Sequence, residues 1–158
     1  MEISKNSRVW IYQSDKRFSD EQVAEIQNML TDFTSQWLAH GKDLYAKAEI
    51  RYNRFIILMV DESVAEATGC SIDKSVALMK AIEARFSVNL FDRFNIAYHE
   101  ADEVVSCDRA EFERLLSDGI ISDETIVFNN LVQTVGELET NWEIPLKDSW
   151  HAQVFSLK

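Results

Sequence analysis

Leu44-Tyr-Ala-Lys-Ala-Glu-Ile-Arg-Tyr-Asn-Arg-Phe-Ile-Ile-Leu-Met-Val60 is the stretch whose reading decides the fold. Its first half alternates. Leu44, Ala46, Ala48, Ile50 and Tyr52 face one way, and Tyr45, Lys47, Glu49 and Arg51 face the other, the pattern of a strand with one wet face. Asn53 marks a turn. Phe55 to Val60 is apolar at every position, so it reads as a strand buried on both faces. Two strands joined by so short a turn form a hairpin.

Upstream, Arg8 to Ser14 reads as another short, nearly continuous apolar strand. A helix comes next, with complete start signals. Ser19 and Gln22 form a capping box, and Phe18 and Val23 occupy the positions of a hydrophobic staple. Val23, Ile26, Leu30, Phe33 and Trp37 repeat at three- and four-residue steps as one apolar stripe, and His40-Gly41 reads as the helix end. Downstream, residues 61–70 connect to a helix that Ser71 opens and that turns Val76, Met79, Ile82 and Phe86 inward. Phe94 to His99 reads as a fourth strand.

The resulting order, β-α-β-β-α-β, is the ferredoxin-like split βαβ pattern of an α+β fold, with a flavodoxin-like or unrelated α+β sheet as the alternative. It predicts the spatial order 4-1-3-2. Strands one and three are then central and parallel, and the charged second strand is an edge. Residues 1–99 form this core and 100–158 an acidic C-terminal extension of the same single domain. In the extension, Asp108 and Glu111 cap a helix holding Phe112, Leu115 and Leu116, with Gly119 as its end. Thr125 to Val132 reads as a strand, Thr134 and Glu137 cap a last helix around Leu138, and Pro145 interrupts any regular element beyond it. Helices cover one face of such a sheet, so its second face, where Trp10 and Tyr12 are expected, needs a cover. The extension or the interface of a homodimer supplies it.

Composition narrows function by exclusion. The chain has 158 residues, 27 acidic and 16 basic, a net charge of −11. Residues 1–60 balance, whereas residues 100–143 carry twelve acids against Arg109 and Arg114. That segment repels nucleic acid and suits a solvated face or a basic partner. The longest apolar run, Phe55 to Val60, is far short of a membrane span, and Met1 to Arg8 lacks the apolar core of a signal peptide. The expected compartment is the cytosol, with no membrane partner. Cys70 and Cys107 form no C-x-x-C pair, and His40, His99 and His151 have no metal-ligand spacing, so neither a metal nor another cofactor is expected.

Five segments resemble a family of short bacterial proteins: Ser7 to Gln13, Glu49 to Phe55, Gly69 to Asp73, Phe128-Asn129-Asn130 and Ser149-Trp150-His151. Members of that family are often labelled "ABC transporter ATPase". The resemblance implies a bacterial protein and brings no established activity with it. The label conflicts with the residues. A phosphate-cradling loop needs Gly, four residues, then Gly-Lys-Ser/Thr. The only Gly-Lys pair, Gly41-Lys42, has Gln36 at the first Gly position and Asp43 after the Lys.

The candidate site is read from loop logic. With strands one and three parallel, the loops after them share one end of the sheet. The first brings Gln13, Ser14, Asp15 and Arg17. The second runs from Asp61 to Cys70 and delivers Cys70, Ser71 and Asp73 to a helix N-terminus, where free amides and the helix dipole favour a thiolate or a small anion. Gln13, Ser14, Arg17, Asp61, Cys70, Ser71 and Asp73 are therefore the expected ligand-binding residues, for a small polar or anionic ligand. Adjacent Asp61 and Glu62 suit an exposed loop start better than acid–base work. Cys107 is opposed as a thiolate by the acids around it. His99 is expected at the end of the sheet opposite Cys70, so the two form no dyad. The leading reading is a non-enzymatic cytosolic module that binds a protein or a small polar ligand. The alternatives are a Cys70-dependent enzyme or redox protein and a structural homodimer.

The missing phosphate loop makes one prediction. The purified chain will show no ATP hydrolysis above a no-protein control in a phosphate-release assay. Turnover abolished by a point mutation in this chain would refute it.

Overall fold

The computed structural model describes residues 3–155. Its elements in order are β1 (Arg8–Gln13), α1 (Asp20–Gln36), β2 (Leu38–Ala39), β3 (Lys42–Asp43), β4 (Tyr45–Arg51), β5 (Phe55–Asp61), α2 (Gly69–Phe86), β6 (Ile96–Glu100), β7 (Glu103–Cys107), α3 (Arg109–Ser117), β8 (Ile126–Phe128), α4 (Val135–Asn141), β9 (Glu143–Pro145) and α5 (His151–Val154), with a 3-10 turn over Leu146–Asp148. No helix among the described residues is long and apolar enough to cross a membrane.

The fold is α+β, with two main sheets ordered β1-β5-β4 and β7-β6-β8-β9, all pairs antiparallel. The first three strands stand in the order expected, but β1 and β5 are antiparallel rather than parallel. The reason is the direction of the chain. Helix α1 carries it back along the sheet, so β4 runs with β1. The tight turn at Tyr52-Asn53 then reverses it, so β5, lying between the two, opposes both. The ferredoxin-like order also fails at the fourth strand. The segment expected beside β1 forms β6 and pairs with β7 and β8 in the second sheet.

Four layers result. Trp10, Tyr12, Ile56, Leu58, Val60, Ala46 and Ala48 pack under α1 and α2 with Ile26, Leu30, Met79 and Ile82. The opposite face presents Val9, Ile11, Phe55, Ile57 and Met59 to Ala97, Phe128, Val132, Val135, Leu138 and Trp142. The far side of the second sheet packs Ile96, Tyr98 and Val127 against Phe112, Leu115 and Leu146. The C-terminal part thus covers the second face, as one of the two expected covers. Trp10 and Tyr12 lie on the helix side instead, because they share a face with Leu58 and Ile56 in register. β1 is apolar on both faces because layers lie above and below it. It is an edge of its sheet, not a centre.

Local signals are obeyed more closely. The Ser19–Gln22 box is present in both directions, and Asp108 and Thr134 cap α3 and α4. Helix α1 ends earlier than its stripe. Trp37 lies just beyond it, buried, and donates its Nε1–H to the Ser71 carbonyl at 2.8 Å. His40 (φ 51°) and Gly41 (φ 78°) form the two-residue turn of the β2–β3 hairpin rather than a helix cap, the conformation such turns demand.

Arg54 is buried in the turn region and ties the sheets together. Its Nη1 donates to the Ser14 carbonyl (3.3 Å) and to Ser106 Oγ on β7 (2.7 Å). Trp142, 1% exposed, fills the space between the sheets against Phe55 and Phe128 and donates to Asn130 Oδ1 at 2.9 Å. Trp142→Ala empties that space and will cost about 3–5 kcal/mol of stability in urea unfolding. A cost below ~1 kcal/mol would show that the two sheets do not depend on this packing.

Candidate functional site

The antiparallel register separates the residues that the sequence groups together. Gln13 faces Phe55 at one end of the β1–β5 pair, and Arg8 faces Val60 at the other. At about 3.3 Å per residue the two loops lie roughly 16–20 Å apart. Gln13, Ser14 and Arg17 are therefore at one end, and Asp61, Cys70, Ser71 and Asp73 at the other.

Each member of the far group has a local role or is exposed. The Asp61 carboxylate accepts from the hydroxyl and the N–H of Ser63, and these bonds hold it below the usual carboxylate range. Thr68 caps α2, and Ser71 completes its capping box. Cys70, in the first turn of α2, is exposed, as is Asp73. His99 packs against Tyr52 at the opposite end of β5, so no Cys70–His99 dyad forms. Burial, then Glu111 and Asp108, push the Cys107 thiol up to about 11. In the near group, Ser14 is buried and its hydroxyl donates to the Lys16 carbonyl. Arg17 is exposed.

Gln13 alone of the expected residues opens onto a real cavity. A groove of about 700 Å³ runs along the uncovered part of β1. Ile11, Tyr12 and Gln13 contribute to its floor. The 90–96 segment forms one wall, Asn130-Leu131 another, and the Trp150–Phe155 segment closes it. Of the ten large apolar side chains exposed among the described residues, five line it: Phe91, Phe94, Leu131, Trp150 and Val154. Together they form one exposed apolar patch rather than scattered single exposures.

Polar groups at the base are fixed in place. Gln13 Nε2 donates to the Asn95 carbonyl (2.7 Å) and to its Oδ1 (2.9 Å), and Gln13 Oε1 accepts from Asn130 Nδ2 (2.9 Å). Asn130 in turn holds Trp142, so the groove floor and the inter-sheet core share one hydrogen-bonded chain. His151 is buried beside Trp150, with ring centroids 3.9 Å apart, and its Nδ1 lies 3.2 Å from Ser149 Oγ. Burial pushes its pKa down to about 4, so the ring is neutral at pH 7. Arg93 and Arg109 stand on the rim; Arg109 pairs with Glu113. The arrangement offers apolar contact and hydrogen bonds to a ligand. The Ser149 hydroxyl beside His151 donates to the Leu146 carbonyl at 2.8 Å.

Sequence alone does not group these residues. Phe91 and Phe94 bracket Asp92-Arg93; the sequence reads Phe94 as the first residue of the fourth strand, whereas it precedes β6 and is exposed. Leu131, read as part of a strand over Thr125 to Val132, lies beyond the end of β8 and is exposed.

A second polar group stands outside the groove. Tyr52 donates to Glu143 Oε1 (2.7 Å), which also lies 2.6 Å from His99 Nε2. Burial first, and Glu143 next, push the Tyr52 hydroxyl up to about 12. The Tyr52 and His99 rings rest on Phe128, so the group reads as a clasp over the inter-sheet core. Among the described residues no three His, Cys, Asp or Glu side chains stand together as a metal site requires.

The buried neutral imidazole gives a pH prediction. His151 has a folded pKa of about 4 against an ordinary 6.5. Between these values the unfolded chain binds a proton that the native ring does not. Its stabilising contribution is therefore complete above pH 6.5 and is lost as the pH falls toward 4. His151→Gln will flatten the dependence of unfolding free energy on pH in that window. An unchanged slope would assign the effect to other groups.

No protein-family model matches the chain, and no curated protein or solved structure matches it. The function is therefore read from the groove's own residues.

Proposed function

We propose that this chain is a non-enzymatic binding module of the cytosol whose recognition site is the groove beside β1. The observation that carries the reading is the gathering of half the large apolar side chains exposed among the described residues over a floor of fixed amides. Its size is within the range of ligand sites, roughly 300–1,000 Å³, and such sites pair apolar walls with a few placed polar groups. Gln13, Asn95 and Asn130 set the orientation of what binds; Phe91, Phe94, Leu131 and Trp150 supply contact area. The remaining polar capacity suits a protein segment or a small polar molecule with an apolar part. Acidic residues 100–143 serve solubility in this reading. Glu111 and Asp118 are engaged by Arg114, Glu113 by Arg109 and Glu124 by Lys147, and the other acids keep the segment strongly negative.

The test uses the double variant Phe94→Ser, Leu131→Ser. Both side chains are about two-thirds exposed, at 64% and 66%, so each change will alter stability by no more than ~0.5 kcal/mol. Immobilised wild-type protein will retain a partner or ligand from native cell extract, and the variant will lose it. Equal retention by both would remove the groove from the binding surface.

A further inference from the structure

The strand order leaves one place beside β1 partly open. A fourth strand of the split βαβ pattern belongs there, but β6 sits in the second sheet. The backbone shows what remains. In a strand the N–H and C=O of one residue point to the same side, and successive residues alternate. Ser14 N–H bonds to the Arg54 carbonyl at 2.8 Å, so even-numbered residues of β1 face β5. Odd-numbered residues face outward. Val9 N–H donates to Gln133 O (3.0 Å), the Ser7 carbonyl accepts from Val135 N–H (2.9 Å), and Asp15 N–H donates to Asn89 O (3.1 Å). Between these anchors, Ile11 and Gln13 turn their N–H and C=O groups toward the groove with no partner among the described residues.

The two edges of this sheet are treated differently. β4 carries Lys47, Glu49 and Arg51, charges that discourage further pairing. β1 has no charged residue between Arg8 and Asp15. An uncharged edge with free amides at the floor of an apolar groove is built to accept a strand.

We propose, resting on the groove reading above, that the occupant is an extended peptide segment of another protein, added to β1 as a further strand. Its backbone bonds to Ile11 and Gln13. Its alternate side chains contact Phe91 on one side and Leu131 and Trp150 on the other. Arg93 is exposed on the rim, with no ion-pair partner among the described residues, and favours a peptide carrying a carboxylate. The net charge of −11 on each copy disfavours a second copy of this chain as the source.

The experiment selects binders from a random dodecapeptide library displayed on phage, with the Phe94→Ser, Leu131→Ser variant as counter-selection. Selected sequences are then synthesised and studied with the full chain. Three results are expected. Bound peptide slows hydrogen exchange of the Ile11 and Gln13 amides at least tenfold. N-methylation along the peptide weakens binding at least tenfold at every second residue and little between, because only alternate amides face β1. Arg93→Glu weakens the peptides severalfold. Ile11→Pro gives a check from the protein side. It removes an outward donor and leaves the bonds to β5 intact, so affinity falls while the circular dichroism spectrum is kept. Should that variant unfold, the N-methyl scan still decides. Peptides that bind the wild type but leave both amides unprotected, with no alternation in the scan, would overturn strand addition while leaving the groove as a binding site. Failure to select any peptide that distinguishes wild type from the double variant would overturn strand addition and take away its support in the groove. A dimer at micromolar concentration, with the Ile11 and Gln13 amides already protected, would overturn the peptide partner in favour of a second copy.

Discussion

Burial of β5 on both faces is the constraint on which the rest of the structure depends. Phe55 to Val60 are each 0–2% exposed. Fully burying such side chains contributes about 1.5–3 kcal/mol each, so six are worth on the order of 10 kcal/mol before entropy is charged. That is comparable to the whole net stability of a domain. It requires apolar layers above and below the strand. Helices α1 and α2 supply one, and the second sheet with α4 supplies the other. The C-terminal third is thus part of the same core.

The second layer decides where the open edge falls. Once β6 is committed to covering Phe55 and Ile57 from the opposite sheet, it does not also sit beside β1. The segment around Gln133 to Val135 reaches only the first residues of that edge, and the Asn89 turn only the last. What lies between is bounded by loops that carry exposed aromatics. The groove is a by-product of how the core is closed, and its apolar lining distinguishes it from an ordinary loop surface.

Hydrogen bonds connect that surface to the interior. Asn95, Gln13, Asn130 and Trp142 form one series from the groove wall to the inter-sheet core. Gln13 is buried and its partners half-buried, and such amides are costly when left unpaired, so this pairing holds the floor of the groove in shape. Arg54 does the equivalent work behind it, joining the ends of β1 and β7 through Ser14 and Ser106.

The sequence alone determined the local structure. The capping box at Ser19, the caps at Asp108 and Thr134, the alternation of Leu44 to Arg51 and the unbroken run Phe55 to Val60 correspond to what is found, because these signals act over a few residues; Tyr52 breaks the alternation, turning at φ 56° onto Phe128 and Trp142. β7 carries no such signal: in Glu103 to Cys107 only Val104 and Val105 are strongly apolar, and they are adjacent rather than alternating. Strand direction and sheet membership were decided by tertiary structure. A run apolar on both faces reports how many layers enclose it, and says nothing of whether a neighbour lies to its left or right; β1 and β5 have the same pattern, yet one is an edge and the other a centre. Gln13, singled out from the sequence, does line the groove. Its partners there were not legible, for Phe94, Asn130, Leu131 and Trp150 come from distant connections that only the packing of the two sheets brings together.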